Sequence, residues 1–164
     1  MIGTGSDDDV RREALQLIAS LHVCTLATFG DGQPHAVSLF YAFDGFDLYW
    51  FSDPGSRHSR HIDAAADTRV AVTVAADHQD FAGIRGVQMS GVARRLTGPL
   101  EIGAGLARLT GRYGFLAQMF NQPLRLADAM RKAAIYRLTA AQVTFIDNTK
   151  GFGHKTSFAP LSAG

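Results

Sequence analysis

Three alternating stretches separated by two tight turns lie between residues 22 and 51, and few folds accept that pattern. His22-Val-Cys-Thr-Leu-Ala-Thr-Phe29 is rich in β-branched residues and carries apolar side chains at alternate positions. Gly30-Asp31-Gly32 ends it, and residues 33–42 form a second such stretch. Asp44-Gly45, a strong two-residue hairpin signal, precedes a third at 46–51. Parallel neighbours need long crossovers, so strands joined this closely pair antiparallel, as a meander.

The flanking sequence extends that sheet. Asp7, Asp8 and Asp9 offer an N-cap and first-turn acids to a helix whose apolar positions, Val10, Ala14, Leu17, Ile18 and Leu21, recur at helical spacing. Residues 1–6 before it read as a mobile lead. A short helical piece at 56–65 is followed by residues 68–75, a nearly continuous buried-strand signal. Residues 84–96 predict a long strand with Gly86 and Gly91 as bulge or close-approach points. Pro99 suits the first position of a helix over 100–113. Asn121-Gln122-Pro123 breaks the next segment, and 124–132 is again helix-like. Residues 134–138 and 143–147 predict two further strands with Ala140-Ala141 between them. In the tail, Asp147-Asn148-Thr149 and the glycines around Phe152 favour an ordered 148–155 beside a ligand cleft, with Lys150 or Lys155 available to an anion. Residues 156–164 are expected to be loosely ordered. The whole is mainly β: one domain over 1–164, a six- to seven-stranded antiparallel barrel with peripheral helices.

Charge and cysteine content narrow the function. A formal net charge of +1 over 164 residues gives no bulk electrostatic basis for binding nucleic acid. Cys24 is the single cysteine, which excludes a disulfide framework and a cysteine zinc site. Its place on the first strand suits a small buried hydrophobe. The acidic start is unlike a signal peptide and no apolar run is long enough for a membrane helix, so a cytoplasmic location is expected.

The most chemically loaded stretch is 52–62, Ser-Asp-Pro-Gly-Ser-Arg-His-Ser-Arg-His-Ile. Asp53-Pro54-Gly55 is a turn signal in which glycine accepts positive φ, and Ser56 stands at the N-cap position. Arg57, His58, Arg60 and His61 crowd the first helical turn, where cations oppose the helix dipole. Free backbone N–H groups, a serine hydroxyl and several cations make an anion cradle suited to phosphate. The competing reading is a solvated basic turn answering Asp53 and Asp63. Two other signals are weak. Gly103-Ala-Gly105 lacks the third glycine and the preceding strand of a dinucleotide fingerprint. His58 and His61 could share a helical face as metal ligands, but no carboxylate or cysteine completes a set.

From the meander through the basic turn the chain resembles the FMN-binding split barrels related to pyridoxamine 5′-phosphate oxidase. The resemblance lies in Thr25-Leu-Ala-Thr, Asp31-Gly-Gln-Pro, Leu48-Tyr-Trp-Phe-Ser, Gly55-Ser-Arg-His and Val70-Ala-Val-Thr-Val, and it covers residues 21–96. It implies a homodimer with FMN at the subunit interface. The flavin phosphate would be held by Phe51, Ser52, Ser56, Arg57 and His58, the last standing where the family has lysine. The isoalloxazine would lie along His35, Val37, Ser38, Leu39 and Phe40, with Gln88 approaching from the partner subunit. Ile84-Arg-Gly-Val-Gln88, Gly91-Val-Ala-Arg-Arg-Leu96 and the tail Phe145-Ile-Asp-Asn-Thr-Lys-Gly-Phe-Gly-His-Lys155 resemble more closely the uncharacterised YhbP-like branch.

The implied function is an oxidoreductase exchanging hydride with an unknown small molecule, the flavin carrying the redox chemistry. His35 and Tyr41 are the reachable acid–base candidates. The alternatives are a non-enzymatic module for haem or deazaflavin, with His154 as a conceivable haem ligand, and a cofactor-free dimeric scaffold. The aromatics at 40–51 exceed what one small barrel needs, which predicts an apolar dimer interface.

Overall fold

The computed structural model describes residues 7–119, 128 and 131–160. The lead at 1–6 and most of the helix expected at 124–132 lie outside the described residues. Helix α1 (Asp7–Ser20) starts on its three aspartates, where acids complement the dipole, and buries Ala14, Leu17 and Ile18. The meander follows as β1 (Val23–Gly30), β2 (Gln33–Phe40), β3 (Ala42–Asp44) and β4 (Asp47–Ser52). Asp31 (φ 53) and Gly32 (φ 72) form the first turn, whose positive φ values match the twist of the strands.

The expected second strand, 33–42, is broken at Tyr41. Its ring is fully buried, and its hydroxyl donates to the carbonyls of Ile18 at 2.6 Å and Leu21 at 2.9 Å, so α1 is fastened where the chain leaves β2 for β3. Helix α2 (Arg57–Asp63), β5 (Arg69–Ala75), β6 (Arg85–Arg95), α3 (Pro99–Arg112), α4 (Gly114–Met119), β7 (Ala134–Asp147) and β8 (Lys155–Phe158) complete the described chain.

The eight strands among the described residues form one curled antiparallel sheet, ordered β2-β1-β5-β6-β7-β4-β3, with β8 pairing β7. The eight strands depart from the six or seven expected, and the reasons are local. Residues 134–147 are one strand rather than two: Ser90 faces Gln142 and Gly91 faces Ala140, leaving Ala141 as the extra residue of a bulge. A Cβ at Gly91 would lie 2.0 Å from the Thr139 carbonyl oxygen, so only glycine fits there. Strand β7 pairs with β6 throughout, with β4 in its first half and with β8 in its second. Residues 155–158 form β8 through that last pairing, within a stretch of which 156–164 was expected to be loosely ordered.

Two apolar clusters absorb most of the aromatics. The inner one joins Leu26, Leu48, Trp50, Val72, Met89, Tyr136, Val143 and α1 inside the curl. The outer one packs α3 and α4 on Ala42, Tyr49 and Ile135. Gly103 and Gly105 sit inside α3, away from any strand-to-helix turn. No described helix is long and apolar enough to cross a membrane.

Candidate functional site

Strand β4 delivers Ser52 to the start of a turn that α2 completes. Asp53 Oδ1 accepts from the Gly55 N–H at 2.8 Å, and the Asp53 carbonyl accepts from the Ser56 N–H at 3.0 Å. The turn closes without the positive φ expected at Gly55. Ser56 holds the N-cap position, yet its side chain makes no cap bond. Its hydroxyl donates instead to Ser59 Oγ at 2.9 Å, which donates to Ser52 Oγ at 3.0 Å. Ser52 Oγ lies 2.5 Å from His58 Nε2, and Ser56 Oγ lies 3.2 Å from the same nitrogen. In the neutral tautomer protonated at Nδ1, Nε2 accepts, and the serine hydroxyls then donate in one direction towards it.

Burial, and then the nearby His35 and His61, hold the His58 pKa below its usual value, which favours that neutral form. His58 is 7% exposed, contrary to a solvated turn. The fixed positive charges of this turn are therefore Arg57 and Arg60; Arg57 is exposed and engages no side-chain partner among the described residues. Arg60 donates to the Gly55 carbonyl.

His35 stacks parallel to His58, with centroids 6.0 Å apart, and meets His61 edge-on at 6.1 Å. His61 Nδ1 is 2.9 Å from Thr28 Oγ1, and a Cβ at Gly30 would collide with the imidazole at 2.3 Å. The two histidines of α2 thus turn to different partners. Among the described residues no three His, Cys, Asp or Glu side chains converge as metal ligands.

Strand β2 alternates. His35, Val37 and Leu39 are half-buried, and Val37 and Leu39 pack on the inner core, whereas Ser38 and Phe40 face outward and are exposed. The five residues expected along the isoalloxazine are therefore split between two faces. What they share is the strand edge: among the described residues β2 pairs only with β1, so one row of its backbone N–H and C=O groups has no strand partner there. Phe51 is half-buried beside the outer apolar cluster. Gln88 is exposed and stands in the cross-strand row Ser38–Thr25–Thr73–Gln88. Three strand spacings, about 14 Å, separate it from Ser38 within one chain.

Several candidates have other roles. Tyr41 is sealed in the core with its pKa raised by burial, which removes it as a reachable acid. Cys24 is 2% exposed and burial pushes its thiol up to about 12, so it is inert. The tail is ordered as expected: Asn148 Oδ1 accepts from the Gly153 N–H at 3.1 Å and Asn148 Nδ2 donates to the Phe81 carbonyl at 2.8 Å. It leaves the far end of β7 from the cradle, however, so within one chain it is not beside the site. Lys150 is held by Glu13 at 2.7 Å rather than free for an anion, while Lys155 and His154 are exposed.

Sequence reasoning missed Ser59, fully buried at the centre of the hydroxyl network, and gave Thr28 no role. The i, i+3 spacing of Ser56 and Ser59 on a helix was the available signal for the first. Thr28 carries none, because its partner is distant in sequence.

Comparison with known proteins places this geometry. A family model described as pyridoxamine 5′-phosphate oxidase matches residues 10–147. The YhbP protein of Salmonella schwarzengrund is 32% identical over 140 residues, covering 84% of this chain and 85% of that protein. Among solved structures, a haem-binding protein from Mycobacterium smegmatis superposes with a TM-score of 0.72 at 22% identity, covering 96% of this chain and 60% of that one. A FAD-binding protein from Mesorhizobium loti superposes with a TM-score of 0.61 at 27% identity, covering 82% and 91%. With the curled sheet, the hydroxyl-lined turn and these matches together, the chain belongs to the pyridoxamine 5′-phosphate oxidase family, as a split barrel of its YhbP branch.

Proposed function

We propose that the chain is a homodimeric flavoprotein that binds FMN and acts as an oxidoreductase on a small molecule. The reading is carried by one observation: a largely buried hydroxyl–imidazole network (Ser52, Ser56, Ser59, His58) opens onto Arg57, which has no side-chain partner among the described residues, beside the edge of β2 that no described strand pairs. Hydroxyls can turn to donate to phosphate oxygens, and a guanidinium supplies paired charge-assisted bonds. The unpaired amides and carbonyls of β2 suit the polar edge of the ring. A bound flavin supplies the redox chemistry; the chain binds it, orients it and excludes water.

The dimer reading is supported by the outer face of β2, β1, β5, β6 and the second half of β7. Its central rows are Ser38, Thr25, Thr73, Gln88, Thr144 and then Ala36, Ala27, Ala71, Ser90, Gln142, with no charged side chain. Charged residues are depleted at interface cores, whereas a solvated face carries them. This surface is small and polar rather than the apolar one expected from aromatic content.

Titrating the purified protein with FMN and with riboflavin, followed by absorption and fluorescence, tests the reading. FMN binding at least tenfold tighter than riboflavin supports it; equal affinities remove the phosphate cradle, and no binding removes the flavin. A second reading, a haem-binding module, draws on the likeness to the mycobacterial haem-binding protein and on the exposed His154 imidazole. A Soret band on adding haemin, without flavin binding, would favour it.

A further inference from the structure

Each hydroxyl of the cradle has a single hydrogen to give, and its partners in the chain already claim it. Nε2 of His58 lies 2.5 Å from Ser52 Oγ and 3.2 Å from Ser56 Oγ. Ser59, fully buried, shares its hydrogen between Ser52 Oγ at 3.0 Å and the phenol oxygen of Tyr136. The phenol hydrogen goes in turn to Asp63 Oδ2 at 3.1 Å, and Asp63 also accepts from Arg95. Ser52 and Ser56 are therefore the two hydroxyls that face the imidazole.

A phosphate dianion brings acceptors and no hydrogen. To hold it, Ser52 and Ser56 turn their hydrogens towards its oxygens, and Nε2 loses both hydroxyl donors. The ring is nearly sealed, and a buried acceptor left without a donor is costly. The imidazolium escapes that cost, because both of its nitrogens donate, one of them to Ser52 Oγ or to the phosphate itself. In the tautomer that already donates from Nε2, the adjacent anion favours the same charged form.

The groups facing the ring in the chain itself supply no counter-charge. His35 stacks on it from β2 and His61 lies beside it on α2, and burial together with these two keeps it neutral. Arg57, on the same helix, adds a further cation. The acids of the region are turned to other partners. Asp31, in the β1–β2 turn, lies 3.7 Å from His61 Nε2; Asp53 accepts from the Gly55 N–H; Asp63 is held by Tyr136 and Arg95. Resting on the FMN reading above, we propose that His58 is a specificity-determining residue that takes up a proton as a phosphate enters the cradle. Recognition of the phosphate and protonation of this imidazole are then one event, and a ligand without the phosphate triggers neither. Linkage fixes the sign: FMN binds more tightly as pH falls from 8, by at most about tenfold per pH unit.

Calorimetric titration of the full chain with FMN at pH 7, repeated in buffers of different ionisation enthalpy, counts the protons taken up. The second ionisation of a phosphate monoester lies near 6, so His58→Asn is the reference that carries the ligand's own contribution. Wild-type protein is expected to take up more protons per FMN than His58→Asn, by at most about one, and none per riboflavin. Between pH 7 and 8 its FMN affinity is expected to fall about three- to tenfold, while that of His58→Asn stays level. Nitrogen NMR of the assigned His58 ring, neutral without FMN and imidazolium with it, decides the matter in the wild type alone if the variant does not fold. Wild-type protein that prefers FMN to riboflavin, yet takes up no more protons than His58→Asn or keeps a neutral His58 ring in the complex, overturns the coupling and leaves the cradle standing. Wild-type protein that binds FMN and riboflavin equally, or binds neither, overturns the cradle and the coupling together.

Discussion

The outer face of the sheet is two regions with opposite solutions to the same exposure. Over β3, β4 and the first half of β7, large side chains (Tyr49, Ile135) point outward, and Leu109 of α3, Leu116 of α4 and Tyr113 between the two helices cover them. Over β1, β5, β6 and the second half of β7, the outward residues of the two central rows are alanines, serines, threonines and glutamines, and no described element of the chain covers them. The difference teaches how the fold divides its labour. The covered half stabilises the subunit by apolar burial, while the open half stays exposed in the single chain. Strand β5 makes the point: its sequence reads as buried on both sides, yet Ala71, Thr73 and Ala75 are exposed in the single chain.

The sharpest way to break the comparison is a paired truncation. Leu109→Ala, at a position 1% exposed, should cost about 2–5 kcal/mol in urea unfolding, whereas Thr73→Ala should stay within about 0.5 kcal/mol. Equal losses would mean that both halves serve the subunit core. A carboxylate in the open half comes next. Ala71→Glu should leave monomer stability intact and weaken association about a hundredfold, some 2.7 kcal/mol, since two like charges meet across the interface. An unchanged dimer in sedimentation would place the partner elsewhere.

The cradle, at the rim of the open half, gives the third comparison. Arg57→Ala should weaken FMN binding about ten- to a hundredfold, roughly 1.5–3 kcal/mol, without moving the riboflavin affinity. Equal effects on the two ligands would exclude a phosphate contact. The smallest change concerns His58. Burial lowers its folded pKa, so as pH falls below the usual histidine value near 6.5 the unfolded chain takes up the proton first. Stability should decline through that window in the wild type and decline less in His58→Asn, measured by urea titration at pH 5 and 7. Identical declines would show that His58 is not held neutral. His58→Lys, which restores the family's charge, places an ammonium at a position only 7% exposed. It should therefore cost stability even if it tightens FMN.

What the sequence determined on its own was local. The meander is legible because its turns carry glycine where φ is positive, at Gly32 and Gly45, and because its strands alternate. Gly91 announces a close approach, and the residues of 52–62 mark the turn that forms the candidate site. Alternation separates the side chains of a strand into two sets, but it does not say what each set meets. Only the tertiary structure decided that Ser59 closes the hydroxyl network, that His58 is buried against His35, and that residues 134–147 run on through a bulge as one strand. Only there does Tyr41 become a core anchor rather than a reachable acid. The same holds for the outer face: helices cover one half because α3 and α4 return across β4 and β7, a contact between residues far apart in the chain. Burial and partnership at these positions are set by long-range packing, which a pattern of period two does not encode.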